Sequence, residues 1–211
     1  MQPIACPPLP RREARRQDRR DAILAVAATS FLEHGYAGTT MSAIAATLGG
    51  SKGTLWSYFP SKEALFAAFL DQATQAFRAQ LSQILDPCGD LSATLRHFCS
   101  SLMEKVTSPA AIALHRLVVG ESGRFPEMGR IFHERAPRLT QALLAEYLDG
   151  AMERGLMRRD DPLSAARLLI SLCLAGCHQQ LLMGMIDKAT PDLLDRDVDA
   201  AMALFFRAFE A

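Results

Sequence analysis

Residues 40–59 read TMSAIAATLGGSKGTLWSYF, and their spacing decides the fold. Ile44, Ala45 and Leu48 fall on one face of a short helix that Thr40 can cap. Gly49 can take a positive φ at the turn, and with Gly50 it breaks the chain. A second short helix opens at Ser51 or Lys52, with Leu55 and Phe59 facing inward one turn apart. Pro60 ends it, since the residue before a proline disfavours helix. The outer face then carries Ser51, Lys52, Gly53, Thr54, Trp56, Ser57 and Tyr58. Helix, tight glycine turn, helix is the helix-turn-helix arrangement. Hydroxyls, one cation and two aromatics on such a face suit the major groove of duplex DNA. The helix N–H groups attract phosphate there, and the side chains reach base edges.

Upstream, Ile23, Val26, Ala27, Ser30 and Phe31 recur at helical spacing, which predicts a helix from about Asp18 to His34, stopped by Gly35. Downstream, Ser61 caps a helix whose apolar positions Phe66, Phe69, Leu70, Ala73, Phe77 and Leu81 carry it to about Leu85. Proline and glycine punctuation predicts further helices near 91–106, 109–121, 125–135, 137–154, 162–185 and 191–209. Alternating apolar and polar runs are missing. An all-α fold of about nine helices follows. Its expected organisation is a disordered arm, Pro-rich and then Arg-rich, over 1–16, a helix-turn-helix domain over 17–62 and a larger helical domain over 63–211.

Charge supports that division. The 211 residues carry 23 basic and 23 acidic side chains. Residues 1–62 hold eight basic and four acidic ones, leaving fifteen and nineteen for the rest. A basic start on an acidic body suggests a polyanion-binding segment joined to a part with another purpose. Met1 to Pro10 has four prolines and no apolar h-region, so no secretory signal is expected. Leu168 to Cys177 is uncharged for ten residues, where a membrane span needs about twenty. The five cysteines form neither a CxxC pair nor a zinc ladder, and the odd number fits a reducing, cytoplasmic setting. Cys173 and Cys177 read as small core side chains. No metal or cofactor is expected. With no HExxH, P-loop or Rossmann fingerprint, neither is enzymatic activity.

The order of motifs resembles the TetR/AcrR family of bacterial transcriptional regulators. The resemblance rests on Arg20 to Leu24, Phe31, Gly35-Tyr36, Thr39 to Met41, Ile44-Ala45 and Leu48-Gly49. It continues through Ser51 to Phe59 and Ser61 to Leu65, covering about residues 17–70. Gly50 departs from the pattern, where the family usually has an apolar residue such as Val. Gly120 to Phe132 and Leu174 to Met183 resemble the AefR-like C-terminal type. The resemblance implies that Lys52, Thr54, Trp56 and Tyr58 lie on the recognition helix. It implies that Thr40 and Ser51 touch phosphate or cap their helices, that the Tyr58 hydroxyl meets a phosphate and that Lys62 neutralises another. Thr54 can read a thymine methyl and a lysine head guanine. Arg11, Arg12, Arg15, Arg16, Arg19 and Arg20 would add sequence-independent attraction or enter a minor groove. The alternatives are Trp56 packed partly on the domain core, Lys62 as a solvated charge and the arginines as a solubilising tail.

A helix-turn-helix does not need some 140 further residues to bind DNA, so the rest must pair, sense, or both. Leu169, Leu172, Gly176 and Gln180 on one helix, with Val198, Met202, Phe205 and Phe206 on the last, are the candidate homodimer interface. The same residues could instead close the core of a single chain. Phe98, Met103, His115, Val118, Phe125, Met128, Phe132, Gln179 and Met183 are candidates for an adaptable apolar ligand pocket. A Met and Phe stripe at helical spacing is equally a plain core. The expected function is a DNA-binding transcriptional regulator, a repressor released from a palindromic double-stranded operator by a small lipophilic or aromatic effector. The alternative is a constitutive dimeric regulator with no small-molecule ligand.

Overall fold

Helix formers and end signals give a chain of helices, and the computed structural model describes residues 11–49 and 52–210 of it. No strand occurs among the described residues. The elements are α1 (Arg11–Gly38), α2 (Met41–Thr47), α3 (Lys52–Tyr58) and α4 (Lys62–Ile84), followed by α5 (Leu91–Val106), α6 (Pro109–Glu121), α7 (Pro126–Arg135) and α8 (Pro137–Glu153). The last three are α9 (Pro162–Leu174), α10 (Cys177–Leu182) and α11 (Pro191–Ala208). Asp90, Ser108, Asp161 and Thr190 each accept a backbone N–H at the start of α5, α6, α9 and α11. These caps set the boundaries that the sequence predicts. No helix among the described residues is long and apolar enough to cross a membrane.

Two compact units form, residues 1–69 and 70–211. The boundary falls inside α4 rather than at residue 63, because Leu65, Phe66 and Phe69 are buried with the first unit. Phe31 meets Phe66 edge-on at 5.1 Å and lies parallel to Tyr36 at 5.8 Å; Tyr36 meets Phe66 at 5.4 Å. Aromatic pairs in these geometries add about 0.5–1.5 kcal/mol each beyond the area they bury. Helix α1 starts at Arg11, so residues 11–16, expected in a disordered arm, are helical; residues 1–10 of that arm lie outside the described residues. Arg, Ala and Gln are good helix formers, and Glu13 suits the first turn. The expected stop at Gly35 is a kink, with φ 75° there and one more turn beyond it.

In the second unit, Phe98 and Met103 of α5, Leu144 and Leu148 of α8, Leu169 and Cys173 of α9 and Val198, Met202 and Phe205 of α11 form one core. Cys99, Cys173 and Cys177 are fully buried. A hydrogen bond with Cys173, and then burial, push the Cys99 thiol far above its ordinary range, so it stays protonated. The helix expected over 162–185 is broken into α9 and α10 at Ala175-Gly176. Asp197 of α11 makes the break: its Oδ2 accepts the Cys177 N–H at 2.6 Å. A Cβ on Gly176 would overlap that carboxylate. Asp197 therefore caps α10 from another element, which no local pattern around residue 176 reveals.

Candidate nucleic-acid interface

Three local devices set the angle between α2 and α3. Thr40 Oγ1 accepts the Ala43 N–H at 3.1 Å and caps α2. Gly49 has φ +61°, a left-handed conformation that side-chain-bearing residues avoid. Leu55 and Phe59 are 2% and 4% exposed and anchor α3 against the buried Ile44 and Ala45 side of the unit. The opposite face of α3 is open. Gly53, Thr54, Trp56 and Ser57 are exposed and Tyr58 is half-buried. Trp56 keeps 41% of its surface in solvent, so it only partly packs on the unit. Ser57 Oγ donates to the Thr54 carbonyl at 2.7 Å. Ser51 and the Lys52 side chain lie outside the described residues.

Lys62 and three arginines of α1, Arg16, Arg19 and Arg20, are engaged within the same unit. The Lys62 ammonium donates to the Tyr36 carbonyl at 2.8 Å and sits 4.1 Å from the centre of its ring. Arg19 Nη2 donates to the Leu48 carbonyl at 3.4 Å, at the C-terminal end of α2. Arg16 lies over the Tyr58 ring and Arg20 over the Phe59 ring, at 5.9 and 5.4 Å. Part of the arginine run thus braces both helices of the motif, a role sequence reasoning missed. Its signal was the four-residue step from Arg16 to Arg20, which puts both on one face of α1. Glu63 is held below the ordinary carboxylate range by the Ser61 hydroxyl, then by its own backbone N–H and by the Tyr36 hydroxyl. Tyr36 O–H reaches Glu63 Oε1 at 3.4 Å. The kink of α1 and the start of α4 are therefore joined by polar contacts as well as by rings.

In the second unit the candidate pocket residues range from fully buried to exposed. Phe98, Met103 and Met128 are fully buried and Val118 nearly so. Phe98 and Met103 are core side chains, packed with the helices around them. Phe125 is half-buried, while Gln179 and Met183 are exposed, Met183 by 72%. His115 and Phe132 meet, with ring centres 5.8 Å apart. His115 Nδ1 also lies 3.4 Å from Nε2 of the buried His178, which sequence reasoning overlooked. Burial, then the neighbouring His115, pushes His178 down to about 4, and burial lowers His115 as well. Both rings favour the neutral form.

The candidate dimer residues divide in the same way. Leu169, Val198, Met202 and Phe205 belong to the core of this chain and are not free for a partner. A helix stripe buries whichever neighbour is nearest, and here α11 lies on its own chain's core. Leu172, Gln180 and Phe206 are half-buried. Gly176 is half-buried too, and the close approach it permits is to Asp197. Leu168 of α9 and Leu204 of α11 remain exposed by 40% and 46%.

The described arrangement has counterparts. The sequence profile of bacterial regulatory proteins of the tetR family matches residues 23–69, and that of the AefR-like transcriptional repressor C-terminal domain matches residues 93–211. A TetR-family regulator from Mesorhizobium loti MAFF303099 superimposes with a TM-score of 0.79 at 26% identity, over 93% of this chain and 99% of that one. The flavonoid-responsive regulator FrrA does so with a TM-score of 0.78 at 32% identity, over 92% and 97%. The transcriptional regulator RutR of Escherichia coli K12 is 39% identical over 75 residues, 36% of this chain and 35% of that protein.

Proposed function

The chain belongs to the TetR family of bacterial transcriptional regulators, and from that premise we propose that it is a homodimeric repressor, released from a palindromic operator by a small lipophilic or aromatic ligand. The observation that carries this reading is the two-sidedness of α3. Leu55 and Phe59 fix it from within while Thr54, Trp56 and Ser57 face outward, with Tyr58 at the edge. In the proposed complex α3 enters the major groove, and Lys52 and Thr54 reach base edges. Thr40, Ser51, Tyr58 and Lys62 contact phosphate or cap helices beside it. Lys62 then exchanges or shares its Tyr36 carbonyl with a phosphate oxygen.

Pairing repeats α3 on a second chain, so the two recognition helices read half-sites about one turn of duplex, roughly 34–36 Å, apart. The exposed Leu168 and Leu204, with the half-buried Leu172, Gln180 and Phe206, are the proposed pairing surface. A ligand that favours a different spacing lowers operator affinity by its coupling free energy, about 1–3 kcal/mol or some 5–150-fold. FrrA, at 32% identity, is described as responding to flavonoids, which are aromatic. The filled core at Phe98, Met103 and Met128 favours a second reading, a constitutive dimeric regulator without a ligand. A thermal-shift screen of lipophilic and aromatic compounds separates the two. A ligand at a hundred times its Kd adds about 2.7 kcal/mol of stability, and the second reading expects no such compound. On a selected operator, Tyr58→Phe and Lys62→Ala should weaken binding to all sequences, while Thr54→Ala relaxes preference at one base pair per half-site. Unchanged binding in all three variants would refute the site.

A further inference from the structure

We propose that the N-terminal overhang of α1, residues 11–20, is a second DNA-contacting surface. It forms a helical rail whose Arg11, Arg12 and Arg15 hold phosphates of the duplex beside the stretch that α3 reads. Its partner rests on that reading of α3. Helix α1 begins twelve residues before its first buried side chain, Ile23. At 3.6 residues per turn, Arg11, Arg12, Arg15, Arg16, Arg19 and Arg20 cover one half of the helix circumference, and Glu13, Asp18 and Asp21 lie on the other. The arginines form two rows with a four-residue step, and like charges so spaced repel and disfavour the helix. A polyanion supplies the opposite charge that these rows lack. Ala14 is the only apolar residue between Arg11 and Arg20, so the overhang has no apolar face for a membrane surface to bury.

The engaged arginines show where the others point. Arg20 lies over the ring of Phe59, which is buried on the inner side of α3. Arg16, one turn earlier in α1, lies over Tyr58 at the outer edge. Arg12 is next in that row, about 6 Å further along the helix axis and past Tyr58. In the neighbouring row Arg19 reaches the Leu48 carbonyl at the end of α2, and Arg15 and Arg11 follow it outward. Arg11, Arg12 and Arg15 are exposed and form no hydrogen bond or ion pair with any described residue. An α-helix is about 10–12 Å across and the minor groove about 6 Å wide, so a helical 11–20 stays outside that groove. Its arginines meet the phosphates that rim the groove before they meet base edges. There a guanidinium can fork two N–H groups onto one phosphate.

Titration of a selected operator and of a random duplex with the full chain, across a salt series, tests the rail. The triple variant Arg11→Gln/Arg12→Gln/Arg15→Gln keeps a good helix former at each position. It should lose about tenfold or more of its affinity at physiological salt, equally for both duplexes. The slope of log K against log salt should fall by about 2.7 per chain, roughly 0.9 for each phosphate contact removed. A control, Arg130→Gln/Arg138→Gln/Arg159→Gln, removes the same charge from exposed positions of the second unit and should change the slope by less than about 1. An unchanged slope in the first variant, or an equal fall in the control, overturns the rail. So does a loss confined to duplexes with A·T-rich flanks, which would mark insertion into the minor groove. The two readings fail separately. If the wild type selects no operator while the first variant still loses affinity and slope on random duplex, the rail stands and the reading of α3 falls. If the first variant binds operator with the wild-type slope, the rail falls and the reading of α3 stands.

Discussion

The helix-turn-helix unit and the larger helical unit differ in how far their structure is written locally. In the first, a cap, a left-handed glycine and two inward side chains within twenty residues fix α2 against α3. In the second, helix boundaries are local, but what each helix faces is settled by distant residues. Asp197 breaks a helix twenty residues earlier in the chain, and His178 meets His115 across sixty-three. The lesson is that the buried and exposed faces of the helix-turn-helix can be recognised from spacing alone, whereas what the helices of the larger unit pack against cannot.

The largest test of this contrast is Phe98→Ala. As a core side chain Phe98 should cost about 3–5 kcal/mol when truncated, measured by chemical denaturation. A loss below about 1 kcal/mol would restore it as the lining of an open pocket and blur the distinction. Next comes pH. His178 titrates near 4 in the fold against about 6.5 when unfolded, so its burial as a neutral ring stabilises the protein above 6.5. As pH falls from about 6.5 to 4 the unfolded chain binds the extra proton, and about 3 kcal/mol of stability drains away. In His178→Gln that slope should shrink to what the half-buried His115 leaves; an identical slope would mean another group titrates there.

Smaller effects sharpen the picture. Gly176→Ala forces Asp197 off the Cys177 N–H, and overpacking with loss of a cap should cost about 2 kcal/mol. If thermal unfolding showed no change, the α9–α10 break would owe nothing to Asp197. Thr40→Ala removes only a local cap and should cost about 1 kcal/mol. Hydrogen exchange should then rise in α2 alone; a rise throughout the second unit would contradict the independence of the two local designs.

The same contrast explains what the sequence made legible. The α5 and α6 ranges, 91–106 and 109–121, agree with those expected because Asp90, Ser108 and Pro109 mark them. Gly49 takes the predicted positive φ because a tight turn leaves no other choice. Phe98 and Met103 were ambiguous, since helical spacing looks the same whether a stripe faces a core or a cavity. Val198, Met202 and Phe205 were assigned to a partner for the same reason. Among the arginines, charge alone did not distinguish a solvated arm from a helix face that braces Leu48, Tyr58 and Phe59.

The central claim is that α3 reads duplex DNA, once from each chain of a pair. Selection of operators from a random duplex pool, followed by measurement of the mass of the bound species, tests it most directly. The account predicts an enriched inverted repeat with half-sites spaced by about one helical turn or a multiple, bound by an even number of chains, and altered at one position per half-site by Thr54→Ala. A pool that enriches no sequence, or a single chain bound to one asymmetric site, would contradict it.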